Sequence, residues 1–360
     1  MSEPQQPSPQ QPGPQQPGPQ QPTGRQGVSD RLGRPLRDLR ISVTDRCNFR
    51  CVYCMPKEIF DKQYRFLPRR ELLDFEEIER LVRLFADFGV RKIRLTGGEP
   101  LVRHQLETLI EKIAAVPGID DIGMTSNASL LSAARARSLR DAGLQRVNIS
   151  LDAMDDERFK AVNDVGVSVQ QVLDGIHVAR DTFDSVKVNM VVKQGLNEDQ
   201  ILPMARFFHG TGVILRFIEF MDVGSSNGWR REAVFTSRQI RDLIDAEMAI
   251  ESADPNYVGE VAERWRYRDG GGEIGIISSV SKPFCRDCHR ARLSAVGQLY
   301  TCLFASAGHD LREPLRAGHS DAWLREHIAA LWRDRDDRYS ELRGQKIVFR
   351  PKVEMSYIGG

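Results

Sequence analysis

The stretch Asp38-Leu39-Arg40-Ile41-Ser42-Val43-Thr44-Asp45-Arg46-Cys47-Asn48-Phe49-Arg50-Cys51-Val52-Tyr53-Cys54 runs from a strand straight into a loop of three thiols. Leu39 to Val43 alternates apolar and polar residues, the two-residue period of a strand. Cys47, Cys51 and Cys54 follow at i, i+4 and i+7, near enough to converge on one metal cluster. The chain beyond them sets the architecture. Phe75 to Phe88 predicts a helix, with Ile78, Leu81, Val82, Phe85 and Phe88 on one face. Further strands are predicted at Lys92 to Thr96, Ile122 to Thr125, Arg146 to Leu151, Val186 to Val192 and Leu215 to Phe220. Helical patterns around residues 104–115, 132–142, 168–181 and 198–208 fall between them. Repeated strand–helix units predict an α/β fold with a parallel sheet, and right-handed crossovers curl six of them into an open or closed (β/α)6 barrel. Such barrels carry their sites at the C-terminal ends of the strands. Cys47, Gly97-Gly98-Glu99-Pro100, Ser126-Asn127, Asp152 and Met221 all fall there.

Residues 31–230 hold these units. Residues 1–30 are a different polymer, in which Gln-Gln-Pro-Gly-Pro repeats with almost no apolar side chains. Nothing in that tail can drive collapse, so it is expected to be disordered or polyproline II, serving as a solubilising extension or as a ligand for a proline-recognising domain. Past residue 230 the periodicity weakens. Trp265 to Tyr267 with Glu273 to Val280, and Ala291 to Val296 with Gln298 to Leu303, read as hairpins turning at Gly270-Gly271-Gly272 and at Gly297. A helix is expected over residues 320–333, and residues 231–360 are expected to form a smaller subdomain beside the barrel.

With Lys+Arg 51 against Asp+Glu 50 in 360 residues, the formal charge is +1, so no global field recommends DNA, RNA or an anionic membrane as partner. No apolar run is long enough for a bilayer, and the N-terminal residues lack a secretory h-region. The expected location is the cytoplasm. In that reducing compartment six cysteines in close-spaced groups read as metal ligands and not as disulfides.

The second group is Cys285-x2-Cys288-x13-Cys302, and together the two triplets use every cysteine of the chain. Each is one ligand short of a closed tetrahedral set, which leaves a metal position open for chemistry. A CxxC before a hairpin is a common zinc-ribbon arrangement, and on thiol count alone a structural zinc suits this triplet. Arg290 and Arg292 lie on one side of the following strand by the two-residue period. Two guanidinium forks beside a metal suit a phosphorylated substrate, whereas a structural zinc needs none; taken by itself the pair also reads as a solvated basic face.

The run Cys47-Asn48-Phe49-Arg50-Cys51-Val52-Tyr53-Cys54 resembles the signature of the radical S-adenosylmethionine (SAM) enzymes, and Gly97-Gly98-Glu99-Pro100 resembles their GGEP motif. The resemblance implies a [4Fe-4S] cluster on Cys47, Cys51 and Cys54 whose open iron chelates SAM. It also implies that the glycine backbone and the Glu99 carboxylate receive the methionine amino group, and that Tyr53, Gly98, Ser150 and Met221 contact the cofactor. A zinc site completed by His or Asp is the alternative, and CxxxCxxC is not a usual zinc spacing.

With the second triplet included, the chain from about Leu36 to Gly360 resembles the GTP 3′,8-cyclases of molybdenum cofactor biosynthesis. Asp38 to Arg46, Lys187-Val188-Asn189 and the terminal Gly359-Gly360 belong to that likeness. It implies an incomplete (β/α)6 TIM-type barrel with a C-terminal subdomain carrying a second [4Fe-4S] cluster on Cys285, Cys288 and Cys302, whose open iron faces guanine. By motif position Arg40, Arg94, Thr125, Lys187, Arg290, Ala291 and Arg292 would hold GTP, with Arg40, Arg290 and Arg292 nearest the reacting guanosine. A 5′-deoxyadenosyl radical would abstract the ribose 3′ hydrogen, and the carbon radical would attack guanine C8. The implied partners are GTP, an electron donor such as flavodoxin or ferredoxin, the cyclic pyranopterin monophosphate synthase that takes the product, and a second copy of the chain in a homodimer. One departure stands out: the family often reads Thr-Asn-Gly after the third strand, and here the residues are Ser126-Asn127-Ala128. Two rivals make different demands. A peptide-modifying radical enzyme commonly adds further C-terminal cysteines or a peptide-binding domain, and a zinc-stabilised binding module would hold zinc and no iron.

Overall fold

The computed structural model describes residues 27–257, 259–343 and 351–359. The Pro/Gln-rich tail falls outside the described residues up to position 26, as does Gly360. From Val28 onward the chain is packed, with Val28 in the main core and Ser29 bridged to Pro35.

The six expected strands are β1 (Asp38–Ser42), β2 (Lys92–Thr96), β3 (Asp121–Ser126), β4 (Arg146–Ser150), β5 (Ser185–Val192) and β6 (Ile214–Glu219). They lie parallel and in chain order across one sheet. Between them run α1 (Phe75–Asp87), α2 (Leu106–Ala114), α3 (Ala133–Asp141), α4 (Asp156–Asn163), α5 (Val169–Thr182) and α6 (Ile201–Phe208). Local chemistry marks their ends. Asp74 accepts from Glu77 N–H while Glu77 accepts from Asp74 N–H, a reciprocal cap that starts α1, and Gly89, at φ 94°, follows its last turn. Helix α4 was not anticipated. It is short and carries only Phe159, Val162 and Asn163 inward, under an Asp155 cap.

Along the six strands apolar side chains point one way, toward the helices. Leu39, Ile41, Ile93, Leu95, Met124, Val147, Ile149, Val188, Met190, Leu215 and Phe217 are all buried in one core. The opposite faces are mostly polar, with Val191 and Ile218 among the exceptions, and they enclose the interior of the curved sheet.

Beyond β6 the chain forms α7 (Ser237–Asp245), β7 (Ile250–Ala253), β8 (Glu263–Tyr267), β9 (Glu273–Ile277), β10 (Arg290–Leu293), β11 (Gln298–Tyr300) and β12 (His309–Asp310). Then come α8 (Arg312–Arg316), α9 (Asp321–Arg333), α10 (Tyr339–Leu342) and α11 (Met355–Ile358). Both expected hairpins are present, β8 with β9 and β10 with β11, the latter turning at Gly297 with φ 78°. Their placement carries the architecture. Strand β9 pairs parallel with β6 and β10 pairs parallel with β1, so the late hairpins extend both edges of the six-stranded unit in the order β12-β11-β10-β1-β2-β3-β4-β5-β6-β9-β8-β7. An open parallel unit would otherwise present two rows of unpaired backbone groups. Covering β1 with β10 also brings the second cysteine triplet to the edge strand that leads into the first.

Candidate active site between two cysteine triplets

The first triplet is bound to its neighbours mostly through backbone. Cys54 N–H and Met55 N–H both donate to Cys51 O at 2.9 Å, closing a tight turn. Arg50 reaches back to Cys47 O at 2.8 Å and Phe60 O at 2.9 Å. Gly98 N–H donates to Thr44 O and Glu99 N–H to Arg46 O, each at 2.8 Å, which fastens the Gly-Gly-Glu-Pro turn along the segment before Cys47. A side chain at Gly98 would stand 2.2 Å from Arg46 O, so only glycine permits that approach. Glu99 does not face open space. Its carboxylate accepts from Leu101 N–H at 3.0 Å, Ser126 Oγ at 2.7 Å and Asn127 N–H at 2.7 Å, and braces the turn after β3.

Phe49 N–H points at Cys47 Sγ at 3.4 Å, Phe304 N–H at Cys302 Sγ at 3.5 Å, and Arg290 Nη2 at Cys288 Sγ at 3.6 Å. Donors aimed at sulfur are what iron-bound thiolates require. Without a cation the thiols of the first triplet, and Cys302 of the second, resist ionisation. Burial, then Glu99, pushes Cys47 up to about 12; burial, then Cys47, does the same to Cys54 at about 12; burial, then Asp152 and its two partner cysteines, lifts Cys51 well above the usual range. Cys302 is raised by burial to about 12, whereas at Cys288 burial is outweighed by Arg290 and Arg335, which bring it to about 6. Among the described residues no three His, Cys, Asp or Glu side chains gather around a single ion. A cubane spreads three thiolates over three different irons. The donor sets, sulfur only with N–H groups behind them, fit such clusters.

Between the triplets lies a cavity of about 1890 Å³, counting the space open at its mouth. Its wall includes Arg40, Tyr53, Arg94, Thr125, Ser150, Lys187, Met221, Cys285, Cys288, Arg290, Arg292 and Cys302, so twelve of the residues singled out from sequence meet around one space. Cys47, Cys51, Cys54 and Gly98 are not on that wall. Cys51 and Cys54 pack against the small cluster of Tyr53, Val162 and Phe220, together with Met355 of α11. Ala291 points away into the core, as the alternation of β10 between Arg290 and Arg292 demands.

Register explains the cation density. Arg40 on β1 is level with Arg292 on β10 and with Arg94 on β2; Asn148 on β4 is level with Thr125 and Lys187; Asn189 on β5 is level with Arg216 on β6. Residues level on parallel strands share a face, so the guanidiniums stand in rows across the sheet. Burial, then Arg292, Arg290 and Arg94, holds Arg40 well below the usual range. Burial, then Arg290, brings Arg292 to about 10; burial, then Arg94, brings Arg216 to about 9; burial, then Arg216, brings Lys187 to about 8. Arg292, Arg216 and Lys187 are thereby left mainly cationic at neutral pH. Arg40 Nε and Arg94 Nε are buried without a hydrogen-bond partner, so the cavity holds positive charge that a polyanion would satisfy.

Sequence reasoning missed Asp38, Lys92, Arg146, Asn148, Asn189, Arg216, Tyr257 and Glu260 on this wall. For those in the barrel strands a signal existed. Lys92-Ile93-Arg94-Leu95-Thr96, Arg146-Val147-Asn148-Ile149-Ser150 and Ser185-Val186-Lys187-Val188-Asn189 alternate strictly, whereas strands of a parallel sheet covered on both faces are usually apolar throughout. Strict alternation there marks an interior that is not packed with apolar side chains.

Residues 41–208 match the radical SAM superfamily, and residues 213–341 match the family described as Molybdenum Cofactor Synthesis C. The chain is 49% identical over 337 residues to a GTP 3′,8-cyclase of Staphylococcus haemolyticus, covering 92% of this chain and 99% of that one. It is 48% identical over 337 residues, with the same coverage, to a GTP 3′,8-cyclase of Staphylococcus aureus. Among solved structures it resembles Streptococcus suis SuiB bound to S-adenosylmethionine at a TM-score of 0.58 and 14% identity, over 86% of this chain and 68% of that one, a likeness of fold. Near-complete coverage by relatives at this identity, over a radical SAM half and a molybdenum cofactor synthesis half, means that the chain belongs to the GTP 3′,8-cyclases, a family of radical SAM enzymes.

Proposed function

We infer that the chain converts GTP to (8S)-3′,8-cyclo-7,8-dihydroguanosine 5′-triphosphate, the first step of molybdenum cofactor biosynthesis. Its cofactors are two [4Fe-4S] clusters and SAM. The observation that carries the reading is a cation-lined cavity with one cysteine triplet on its wall and, packed against Tyr53 of that wall, Cys51 and Cys54 of the other. When bound, the first cluster with SAM supplies the one-electron chemistry that removes the ribose 3′ hydrogen.

The remaining work belongs to the chain. Tyr53, Gly98, Ser150 and Met221 bind SAM, with Gly98 contributing backbone only. Arg94, Thr125 and Lys187 hold the triphosphate, and Arg146 and Arg216 on the same wall add charge to that grip. Arg40, Arg290 and Arg292 fix the guanosine so that C3′ faces the SAM side and C8 stays within reach of C3′. Ala291 offers only its backbone. After the new carbon–carbon bond forms, one electron and one proton must reach the guanine, and the buried guanidiniums stabilise the negative charge that arrives with the electron. The residues assigned to Cys285, Cys288 and Cys302 hold the second cluster on the guanine side.

The electron comes from a donor such as flavodoxin or ferredoxin, and the product passes to a cyclic pyranopterin monophosphate synthase. We place the enzyme in the cytoplasm, acting as a homodimer; no helix among the described residues is long and apolar enough to cross a membrane. Residues 31–230 serve as the radical SAM unit and residues 231–360 as the auxiliary-cluster unit. The test is anaerobic turnover of reconstituted protein with SAM, a reductant and GTP deuterated at C3′. Deuterium is expected in the released 5′-deoxyadenosine. Unlabelled 5′-deoxyadenosine alongside intact GTP would overturn the assignment.

A further inference from the structure

Behind the second triplet, on the side away from the cavity, two arginines and one aspartate are sealed inside the protein. Arg34 and Arg335 are 3% and 4% exposed, and Asp30 is 7% exposed. Asp30 Oδ2 accepts from Arg34 Nε at 2.6 Å and from Arg335 Nη1 at 2.8 Å, so one carboxylate serves two guanidiniums. Both arginines also reach the cysteine segments. Arg34 Nη1 donates to Cys285 O at 2.7 Å, Arg335 Nη1 to Cys288 O at 2.8 Å, and Arg335 Nε to Thr301 O, next to Cys302, at 3.0 Å. Every cysteine of the triplet, or its immediate neighbour, is thus tethered to one of two guanidiniums that come from opposite ends of the chain.

Of the two carboxylates paired with these guanidiniums only Asp30 is fully buried. Asp337 stands 3.5 Å from Arg335 Nε, but a third of its side chain is in solvent, where its charge is screened. Arg34 Nη2 is buried and has no hydrogen-bond partner. A buried cation with an idle N–H pair is costly unless an anion lies beside it. Three thiolates on a cubane supply such an anion, because the assembly is negative when oxidised and more so when reduced. Donors and positive charge around iron–sulfur centres favour the reduced state.

Resting on the assignment of a cluster to Cys285, Cys288 and Cys302, we propose that Arg34 and Arg335 are positioning residues forming its outer cationic shell, with Asp30 as their shared counter-charge. They hold the cysteine segments in place and raise the potential at which that cluster accepts an electron. The segment around Asp30 and Arg34, which is not part of the cavity wall, thereby acts on the redox chemistry.

The test uses the full chain with Cys47, Cys51 and Cys54 replaced by alanine, so that iron reports the second triplet alone. Arg34→Gln is expected to lower the midpoint potential read by EPR-monitored titration, whereas Asp30→Asn, which leaves both cations with less compensation, is expected to raise it. Arg335→Lys is expected to release iron to a chelator about 10-fold faster. Melting of the cluster-free protein tracks folding separately. A merely structural knot would move the melting point in all three variants while leaving every potential where it was, and that result overturns the proposal. Should Arg34→Gln fail to fold, the direction of the shift in Asp30→Asn decides, since a fall or no change is equally fatal. If the parent retains no iron, the cluster assignment itself is wrong, which is a distinct outcome from about four irons with unmoved potentials.

Discussion

Tyr53, one residue before the last cysteine of the first triplet, donates its hydroxyl to Asp152 Oδ2 at 2.6 Å, tying the cysteine loop to the end of β4. Asp152 Oδ1 takes Val191 N–H at 2.9 Å, so the carboxylate also holds β5. Burial lifts Asp152 to about 6, with Tyr53 and Val191 acting to lower it. Tyr53→Phe removes one of two bonds to a buried carboxylate and is expected to cost about 1.5–3 kcal/mol. Chemical denaturation of the cluster-free protein measures that loss. SAM affinity is expected to fall with it while GTP affinity stays within twofold or so, because Tyr53 is among the residues assigned above to SAM and not to GTP.

Lys187, which we assign to the triphosphate, is expected to set a pH dependence for GTP binding. In the free protein burial, then Arg216 and Arg146, brings it from 10.5 to about 8. A bound triphosphate favours the charged amine and moves that value back up. Below pH 8 both states are protonated and the group contributes no slope. As pH rises through about 8 the free enzyme loses its proton and the complex keeps it, so binding takes up a proton and Kd weakens, by at most about tenfold per pH unit. Calorimetry in buffers of differing ionisation enthalpy should detect that uptake near pH 8.5, a value chosen about midway between onset and saturation. Lys187→Gln should abolish it and weaken binding at pH 7 by about 1.5–3 kcal/mol.

The barrel was legible because its signals are local. A reciprocal Asp74–Glu77 cap and a regular apolar stripe define α1 to within a residue, and β2 is bounded as the alternation from Lys92 to Thr96 predicts. Helix α4 escaped because so short a helix, held by its cap and three inward residues, has too few turns to show a period. The late strands were visible as hairpins, but not their partners. Nothing near Arg290 in sequence indicates that β10 will lie along β1 in the register that sets Arg292 beside Arg40. The cysteines and the arginines after Cys288 carried short motifs. Arg146, Asn148 and Arg216 carried only an alternation that meant something once all six strands were known to face one space.

Ala128 occupies the place where the family often has glycine, and the turn keeps the conformation that glycine would favour. Its φ is 57°, one of three positive values among the described non-glycine residues. The turn is held by Ser126 Oγ, which accepts Ala128 N–H at 2.9 Å, and by Asn127 Oδ1, which accepts Ser129 N–H at 3.0 Å. A left-handed alanine costs about 1–2 kcal/mol that glycine does not. Ala128 is also buried in the core, so Ala128→Gly trades that strain for the loss of a buried methyl worth about 0.8 kcal/mol and for a freer unfolded chain, and the melting midpoint is expected to stay within about 2 °C. Gly175→Ala is expected to destabilise the protein, since its Cβ would stand 2.5 Å from Ala128 O.

Asp222, directly after Met221 of the cavity wall, anchors the C-terminal segment. Its carboxylate accepts from Tyr339 Oη, from Arg343 Nε at 2.9 Å and from Lys352 Nζ at 2.6 Å, and these cations outweigh burial to hold it below the usual carboxylate range. Glu354 fastens the same turn from the other side, accepting from Ser225 N–H at 3.0 Å and Ser226 Oγ at 2.7 Å. Past these anchors Met355 lines the cavity, Arg292 donates to Gly359 O, and a side chain at Gly359 would collide with Thr96. Asp222→Asn leaves Arg343 and Lys352 facing an uncharged amide inside the protein, a change expected to cost about 3 kcal/mol or more. The segment from Pro351 to Gly359 should become accessible to protease, and turnover should fall because Arg292 loses its partner and the cavity loses part of its wall. Gly359→Ala provides the control: it leaves the Asp222 anchor intact and blocks only the tip. If it lowers turnover without exposing Lys352 to cleavage by trypsin, while Asp222→Asn does both, anchoring at Asp222 and seating of the tip are separate steps of one closure.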